Sequence, residues 1–382
     1  MSLMLPSLNS GQSSLADVLP SCFAALGAQA FPNTLNLPSV RSVVVVVVDG
    51  LGVQNLAQVS AHARYLSALG GKADTIQTVF PSTTASALAS LTTGTMPGVH
   101  GMLGYRIKDP ATGQVINQLT GISSLHDPAQ WLGATPLYVA AREAGMQPAI
   151  VAHPRFADTP LTKLIHHGAN HVPARTLDER IAAVRKLVCE PGSQLIVLYI
   201  SELDECAHNK GVTSSDWAML LESVDSALKT LVASLPDDVG VLITADHGVV
   251  DIPDHKHVLY GDDPRLIEGI SDVGGEPRCL QLYFERDASS ETKARVLSAW
   301  TEDMGGIAWV MTKETVMTQG LLGNISEGNV ERIGDIWVLA RKDVVFYDAR
   351  DTALKGRSMI GQHGGMSATE LTVPLLRAGG FS

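Results

Sequence analysis

Apolar residues fall along this chain in short unbroken runs, each followed by a segment with helical spacing. The run Val43-Val44-Val45-Val46-Val47-Val48 is the purest, and Leu195-Ile196-Val197-Leu198-Tyr199-Ile200 and Val241-Leu242-Ile243-Thr244-Ala245 repeat it further on. Runs of this length, bounded by Gly and Asp, are strands buried on both faces. Strands are therefore expected at 42–48, about 73–79, 148–152, 195–200 and 240–245. Between them, apolar positions three and four apart predict helices over about 14–28, 53–69, 84–92, 136–144, 177–189 and 214–234. The alternation predicts an α/β fold of three layers, α/β/α, around a mostly parallel central sheet.

The pattern changes after Pro253. Turn-rich sequence surrounds strands at 279–284 and 307–312, a helix at 290–303, and a hairpin of 335–340 with 344–348 across Arg341-Lys342-Asp343. Residues 255–355 are accordingly expected to form a small α/β subdomain. The core would then comprise 41–254 and 356–382, with 1–40 as an N-terminal helical extension packed on it.

Charge and cysteine usage narrow the partners. A formal net charge of −11 over 382 residues leaves no basic stripe for nucleic acid. A small anionic substrate stays open, because bound cations reverse the local field. The four cysteines, Cys22, Cys189, Cys206 and Cys279, form no CxxC pair and suit reduced thiols in the cytoplasm. Met1-Ser2-Leu3-Met4-Leu5-Pro6 lacks the basic and apolar regions of a signal peptide, and six valines are too few to span a bilayer. No membrane partner is expected; oligomeric state leaves no mark.

Candidate chemistry sits where the strands run out. Asp49 ends the valine run, Asp204 and His208 follow the run at 195–200, and Asp246-His247 follow the run at 241–245. His363 stands near the C-terminus in Gln362-His363-Gly364-Gly365. Carboxylate and imidazole are the ligand mixture of zinc and other first-row divalent ions, and open α/β sheets bind ligands beyond the carboxyl ends of their strands. Asp204 and His208, four apart, share one face of a helix, while Cys206 between them points away. Asp49-Gly50-Leu51-Gly52 is neither a GxGxxG nor a P-loop, so no glycine cradle for nucleotide phosphates is indicated. His255 and His257 belong to a polar loop; His62, His153, His166, His167 and His171, with no matching carboxylates, are expected to be structural or on the surface. Ser82, Thr83 and Thr84 precede the helix at 84–92, and a hydroxyl there would gain from the helix dipole.

Taken together, these segments resemble the alkaline phosphatase superfamily, and within it the type I phosphodiesterase/nucleotide pyrophosphatase branch, over about 40–380. The resemblance implies an alkaline phosphatase-like catalytic core, with one cation on Asp49, Thr84, Asp246 and His247 and a second on Asp204, His208 and His363. Zinc is the implied ion at both, with manganese the alternative. In that family the nucleophile stands nine residues before a Thr-Gly pair; Thr93-Gly94 selects Thr84, with Thr83 the competitor. The implied activity is hydrolysis of phosphodiester or nucleotide pyrophosphate bonds in a small phosphorylated substrate through a phosphothreonine intermediate. A phosphomonoesterase or metal-dependent phosphosugar mutase is the alternative on the same fold; a non-catalytic binding protein is the alternative of another class. One departure stands out: where the family has a phosphate-binding Asn, this chain has Tyr105, followed by Arg106. Both become candidate substrate contacts.

Overall fold

The computed structural model describes residue 8 and residues 11–70, 75–351 and 355–382. Its spine is a seven-stranded sheet made of β1 (Ser42–Val48), β2 (Thr75–Gln77), β3 (Gln147–Ala152), β4 (Asn170–Pro173), β5 (Gln194–Ile200), β6 (Val239–Thr244) and β7 (Thr372–Gly379). The order is β2-β7-β6-β1-β5-β3-β4. β1 lies in the middle, Val45 facing Val197 of β5 on one side and Leu242 of β6 on the other, both in parallel. Every residue of β1 is buried, which is why Val43–Val48 are apolar without alternation. β7 closes the sheet antiparallel to β6 and β2, so the tail supplies the strand that breaks the parallel run. The strand expected from about 73 begins at Thr75; residues 73 and 74, like residues 1–6, lie outside the described residues.

Helices cover the sheet. Two bear on the site: α1 (Thr84–Thr93), ended by Gly94 in the left-handed conformation, and α2 (Glu202–Lys210), which starts directly after β5. The segment expected as one helix over 53–69 is three short pieces, Val53–Gln58, Ser60–His62 and Arg64–Leu69. Val59 leaves helical geometry between the first two, and Ala63 between the last two.

A second, antiparallel sheet has the order Ile270–Glu276, Cys279–Phe284, Ile336–Ala340, Ala308–Thr312. With helix Ser290–Met304 it encloses its own apolar core around Leu282, Trp300, Val338 and Phe346. The expected hairpin of 335–340 with 344–348 does not form. Strand Ile336–Ala340 is interior, paired on both edges with Cys279–Phe284 and Ala308–Thr312, and has no free edge to offer. Val345–Asp348 pairs instead with His257–Tyr260, in parallel. The turn between is held by Arg278, whose Nη1 donates to the carbonyls of Lys342 and Val344 at 2.7 and 2.9 Å. No helix among the described residues is long and apolar enough to cross a membrane.

Candidate metal centre and active site

The carboxyl ends of β1, β5 and β6 deliver their acids to one place because the strands are adjacent and parallel. Asp49 follows β1, its N–H donating to Ile200 O at 2.8 Å, and is 4% exposed; Asp246 and His247, beyond β6, are fully buried. Gly50, at φ +75°, is what lets α2 approach. A Cβ there would lie 3.1 Å from Cβ of Asp204, and its N–H donates to Asp246 Oδ1 at 3.2 Å.

On α2, Asp204 and His208 do share a face, Oδ2 to Nε2 at 3.1 Å. His363 comes from the far end of the chain to stack on His247, ring centroids 3.7 Å apart, with His208 at 5.2 Å. Two groups result in which one ligand atom per residue lies within 4.8 Å of the others: Asp204, His208 and His363; and Asp49, Asp204 and His247. Asp246 adjoins the second through Oδ2, 3.4 Å from His247 Nε2. Asp204 thus stands between the clusters rather than within one.

The three imidazoles are oriented alike. Each turns Nδ1 toward a backbone carbonyl: His208 to Gly361 at 2.7 Å, His247 to Gly248 at 3.3 Å, His363 to Ser82 at 3.0 Å. A carbonyl only accepts, so Nδ1 carries a proton in each ring, and Nε2 is the atom turned toward the carboxylates. Metal-bound histidines are oriented in this way. Opposite them, Asp49 Oδ1, Asp204 Oδ1 and Asp246 Oδ2 are buried without a hydrogen-bond partner. Three crowded carboxyl groups facing three imidazole Nε2 atoms are a donor set that fits divalent cations.

Electrostatics agree. Burial, then the charges of Asp246 and Asp204, push Asp49 well above the usual carboxylate range. Burial likewise lifts Asp246 to about 6. Asp204 is raised by burial too, but His208 and then His363 hold it below the ordinary value. Burial takes His247 down to about 4 and His363 to about 3, keeping both neutral. Without a cation, Asp49 holds on to a proton that ligation would displace, whereas Asp204 stays ionised.

The three candidate hydroxyls have different surroundings. Ser82 Oγ donates to Gly365 O at 2.8 Å and accepts from Gly364 N, and Thr83 is the buried N-cap residue of α1. Thr84, first residue of α1, lines an open cavity with Asp49 and Asp204, its Oγ1 3.2 Å from His247 Nε2. Tyr105 and Arg106 line a different cavity, of about 700 Å³, with Glu276, Tyr347 and Arg357. The Tyr105 hydroxyl there accepts from Asn117 Nδ2 at 2.6 Å, and its backbone N–H donates to the buried Glu276.

Two supporting groups have no motif of their own. Tyr199, inside the apolar run of β5, donates its hydroxyl to Asp49 Oδ2. Glu370 is fully buried and takes Nε and Nη2 of Arg278 at 3.0 and 2.8 Å, and the N–H groups of Gly365 and Ser367. It ties the second sheet to the loop that carries His363.

Comparison with known proteins gives the following. The model of the family described as type I phosphodiesterase / nucleotide pyrophosphatase matches residues 43–366. Murine ectonucleotide pyrophosphatase / phosphodiesterase 5 superposes with a TM-score of 0.69 at 19% identity, over 88% of this chain and 87% of that one. An inactive variant of the same murine protein, in complex with AMP, gives 0.68 at 19%, over 89% and 88%. Phosphonoacetate hydrolase from Sinorhizobium meliloti 1021, in complex with phosphonoformate, gives 0.66 at 19%, over 89% and 91%. At that identity the structures establish a shared fold. No curated protein matches the sequence.

Proposed function

Because the chain belongs to the type I phosphodiesterase/nucleotide pyrophosphatase family, a family of divalent-metal-dependent phosphoester hydrolases, we propose that it cleaves phosphodiester or nucleotide pyrophosphate bonds with Thr84 as nucleophile and two divalent cations, zinc at both. The carrying observation is the set of three unpartnered carboxylate oxygens facing the Nε2 atoms of three oriented histidines. Asp49, Asp246, His247 and Thr84 would hold one cation; Asp204, His208 and His363 the other, with Asp204 near enough to both clusters to help define their separation. Such cations would supply Lewis acidity at the phosphoryl oxygens and lower the pKa of the attacking oxygen.

The chain's own groups do the rest. Thr84 Oγ1 gives up its proton to solvent and forms a bond to phosphorus as the ester oxygen opposite leaves with the bonding pair and takes a proton from solvent, giving phosphothreonine. Water then attacks phosphorus, losing a proton to solvent, and the bond to Oγ1 breaks, the oxygen taking back a proton as the hydroxyl returns. At the first position of a ten-residue helix, the developing negative charge meets the positive end of the dipole. Ser82 and the carbonyl of Gly365 fix the His363 loop against the start of α1. Tyr105 and Arg106, which line a separate cavity, are the proposed contacts to a phosphoryl oxygen or to the group beyond it.

Purified protein loaded with zinc should contain two equivalents of metal and turn over bis(p-nitrophenyl) phosphate faster than p-nitrophenyl phosphate. Thr84→Ala should abolish turnover while keeping the metal. A Thr84→Ala protein with near wild-type activity, or loss confined to Thr83→Ala, would remove Thr84 from the mechanism.

A further inference from the structure

Asp49-Gly50-Leu51-Gly52 and Asp246-His247-Gly248 each end on a glycine, and those two glycines touch. A Cβ on Gly52 would lie 2.8 Å from Gly248 Cα, and one on Gly248 would lie 2.9 Å from Gly52 Cα. Backbone conformation is not the reason for glycine at either place. Gly52, at φ −66° and ψ 157°, could be any residue, and Gly248 has no left-handed φ. Crowding excludes the side chain: the loop beyond β1 and the loop beyond β6 meet backbone to backbone, with Thr369 O against both glycines.

Asn55 closes that contact. It belongs to the helix Val53–Gln58, which starts directly after Gly52, and its side chain is buried. Nδ2 donates to Val249 O at 2.8 Å, and Oδ1 accepts from Val249 N at 3.1 Å. One amide therefore meets both backbone groups of one residue, as a neighbouring strand would, and that residue stands two beyond His247. Across the same gap the Gly50 N–H donates to Asp246 Oδ1 at 3.2 Å. The loop beyond β6 is also held by the Thr78 hydroxyl on Asp246 O and by Glu370 O, which accepts from Gly248 N at 3.0 Å. Neither of those partners belongs to the loop beyond β1, so they fix one loop without fixing its distance from the other.

We propose that Asn55 is a positioning residue: acting through Val249, it sets the spacing between the loop that carries Asp49 and the loop that carries Asp246 and His247, and with it the affinity for the cation those three would hold. Asp204 and His208 hang on α2 and His363 on the tail, so the second cation should not feel the change. The inference rests on the two-cation reading above.

Two variants release the clamp. Asn55→Leu keeps the size of the side chain and removes both bonds. Asn55→Ala removes them and leaves room for water to pair with Val249, which protects the fold if the Leu variant is too unstable to study. Zinc is titrated into the chelator-treated full chain, and the ring nitrogens of His247, His208 and His363 are followed by NMR. In the wild type all three should respond to the first two equivalents. In either variant His247 should need about 10- to 100-fold more free zinc, while His208 and His363 respond within about threefold of the wild type. An Asn55 that merely supports the fold would not produce this asymmetry. Equal weakening at all three rings, or none at any, overturns the proposal. If His247 of the wild type does not respond to zinc, the two-cation reading fails, and crystals of the chelator-treated variants decide the spacing separately. Loss of the bond from Gly50 N to Asp246 Oδ1 then supports the clamp, and a bond kept at 3.2 Å overturns it.

Discussion

Replacing Asp246 by Asn should stabilise the metal-free protein and destabilise the metal-loaded one. Asp246 Oδ1 accepts from the N–H groups of Gly50 and His247, at 3.2 and 3.0 Å, and an Asn carbonyl can accept both. Oδ2 has no partner, so an amide nitrogen there displaces no bond. What the substitution removes is a buried charge. The carboxyl sits at about 6 in the folded protein against an ordinary 3.8. A value raised on folding gives a contribution that is fully present below 3.8 and is lost as pH rises through about 6. The deficit is on the order of 1–2 kcal/mol at pH 5 and about twice that at pH 8. Relieving Asp49, which Asp246 also pushes upward, adds in the same direction. In chelator, urea unfolding should therefore find the variant more stable than wild type, and more so at pH 8 than at pH 5. At saturating zinc the order should reverse, because ligand binding stabilises the folded state in proportion to RT ln(1 + [L]/Kd) and the variant has lost a ligand. An equal loss of stability at both pH values in chelator would refute the reasoning, since it would mean that Asp246 is a satisfied structural acid.

Three further outcomes are expected. Tyr199→Phe removes the hydroxyl that orients Asp49 and should weaken zinc binding by about 10- to 100-fold in a chelator competition; an unchanged affinity would show that β1 alone fixes Asp49. Arg278→Ala strands the fully buried Glu370 and should cost about 3–5 kcal/mol in urea unfolding at pH 7; a cost below 1 kcal/mol would mean that solvent reaches the pair. Tyr105→Phe and Arg106→Ala should each lower kcat/KM on a diester about 5- to 150-fold if their side chains meet phosphate oxygens, and no change in either would move phosphate recognition out of their cavity.

Much of the site was legible because its signals are local. A strand buried on both faces announces itself as an unbroken apolar run, and an acid just beyond it must sit at the carboxyl end of the sheet. The four-residue spacing of Asp204 and His208 is likewise a property of one helix, and it held at 3.1 Å. The missed features depend on neighbours that no local pattern names. Tyr199 looks like one more apolar residue of β5; its role appears only when β5 is placed beside β1. The hairpin after Arg341 failed for the same reason: whether Ile336–Ala340 has a free edge is decided by the order of four strands, not by the turn.

Asp204 shows how far such locality reaches. Its sequence neighbourhood pairs it with His208, and the two side chains do meet, Oδ2 to Nε2 at 3.1 Å. Its position between clusters comes from Gly50, 154 residues earlier, where the missing side chain lets α2 settle against the end of β1. Gly50→Ala would demand both an unfavourable φ of +75° and a Cβ 3.1 Å from Asp204. Relief would require α2 to move away, taking Asp204 from Asp49 and His247 while leaving it beside His208. The variant should therefore keep the cation at Asp204, His208 and His363 more firmly than the one at Asp49, Asp246 and His247. Metal titration should then show one tight and one weakened site where the parent shows two tight ones. Equal weakening of both would mean that Asp204 and His208 do not move as a unit, and that the centre is held together across the clusters more strongly than along the helix.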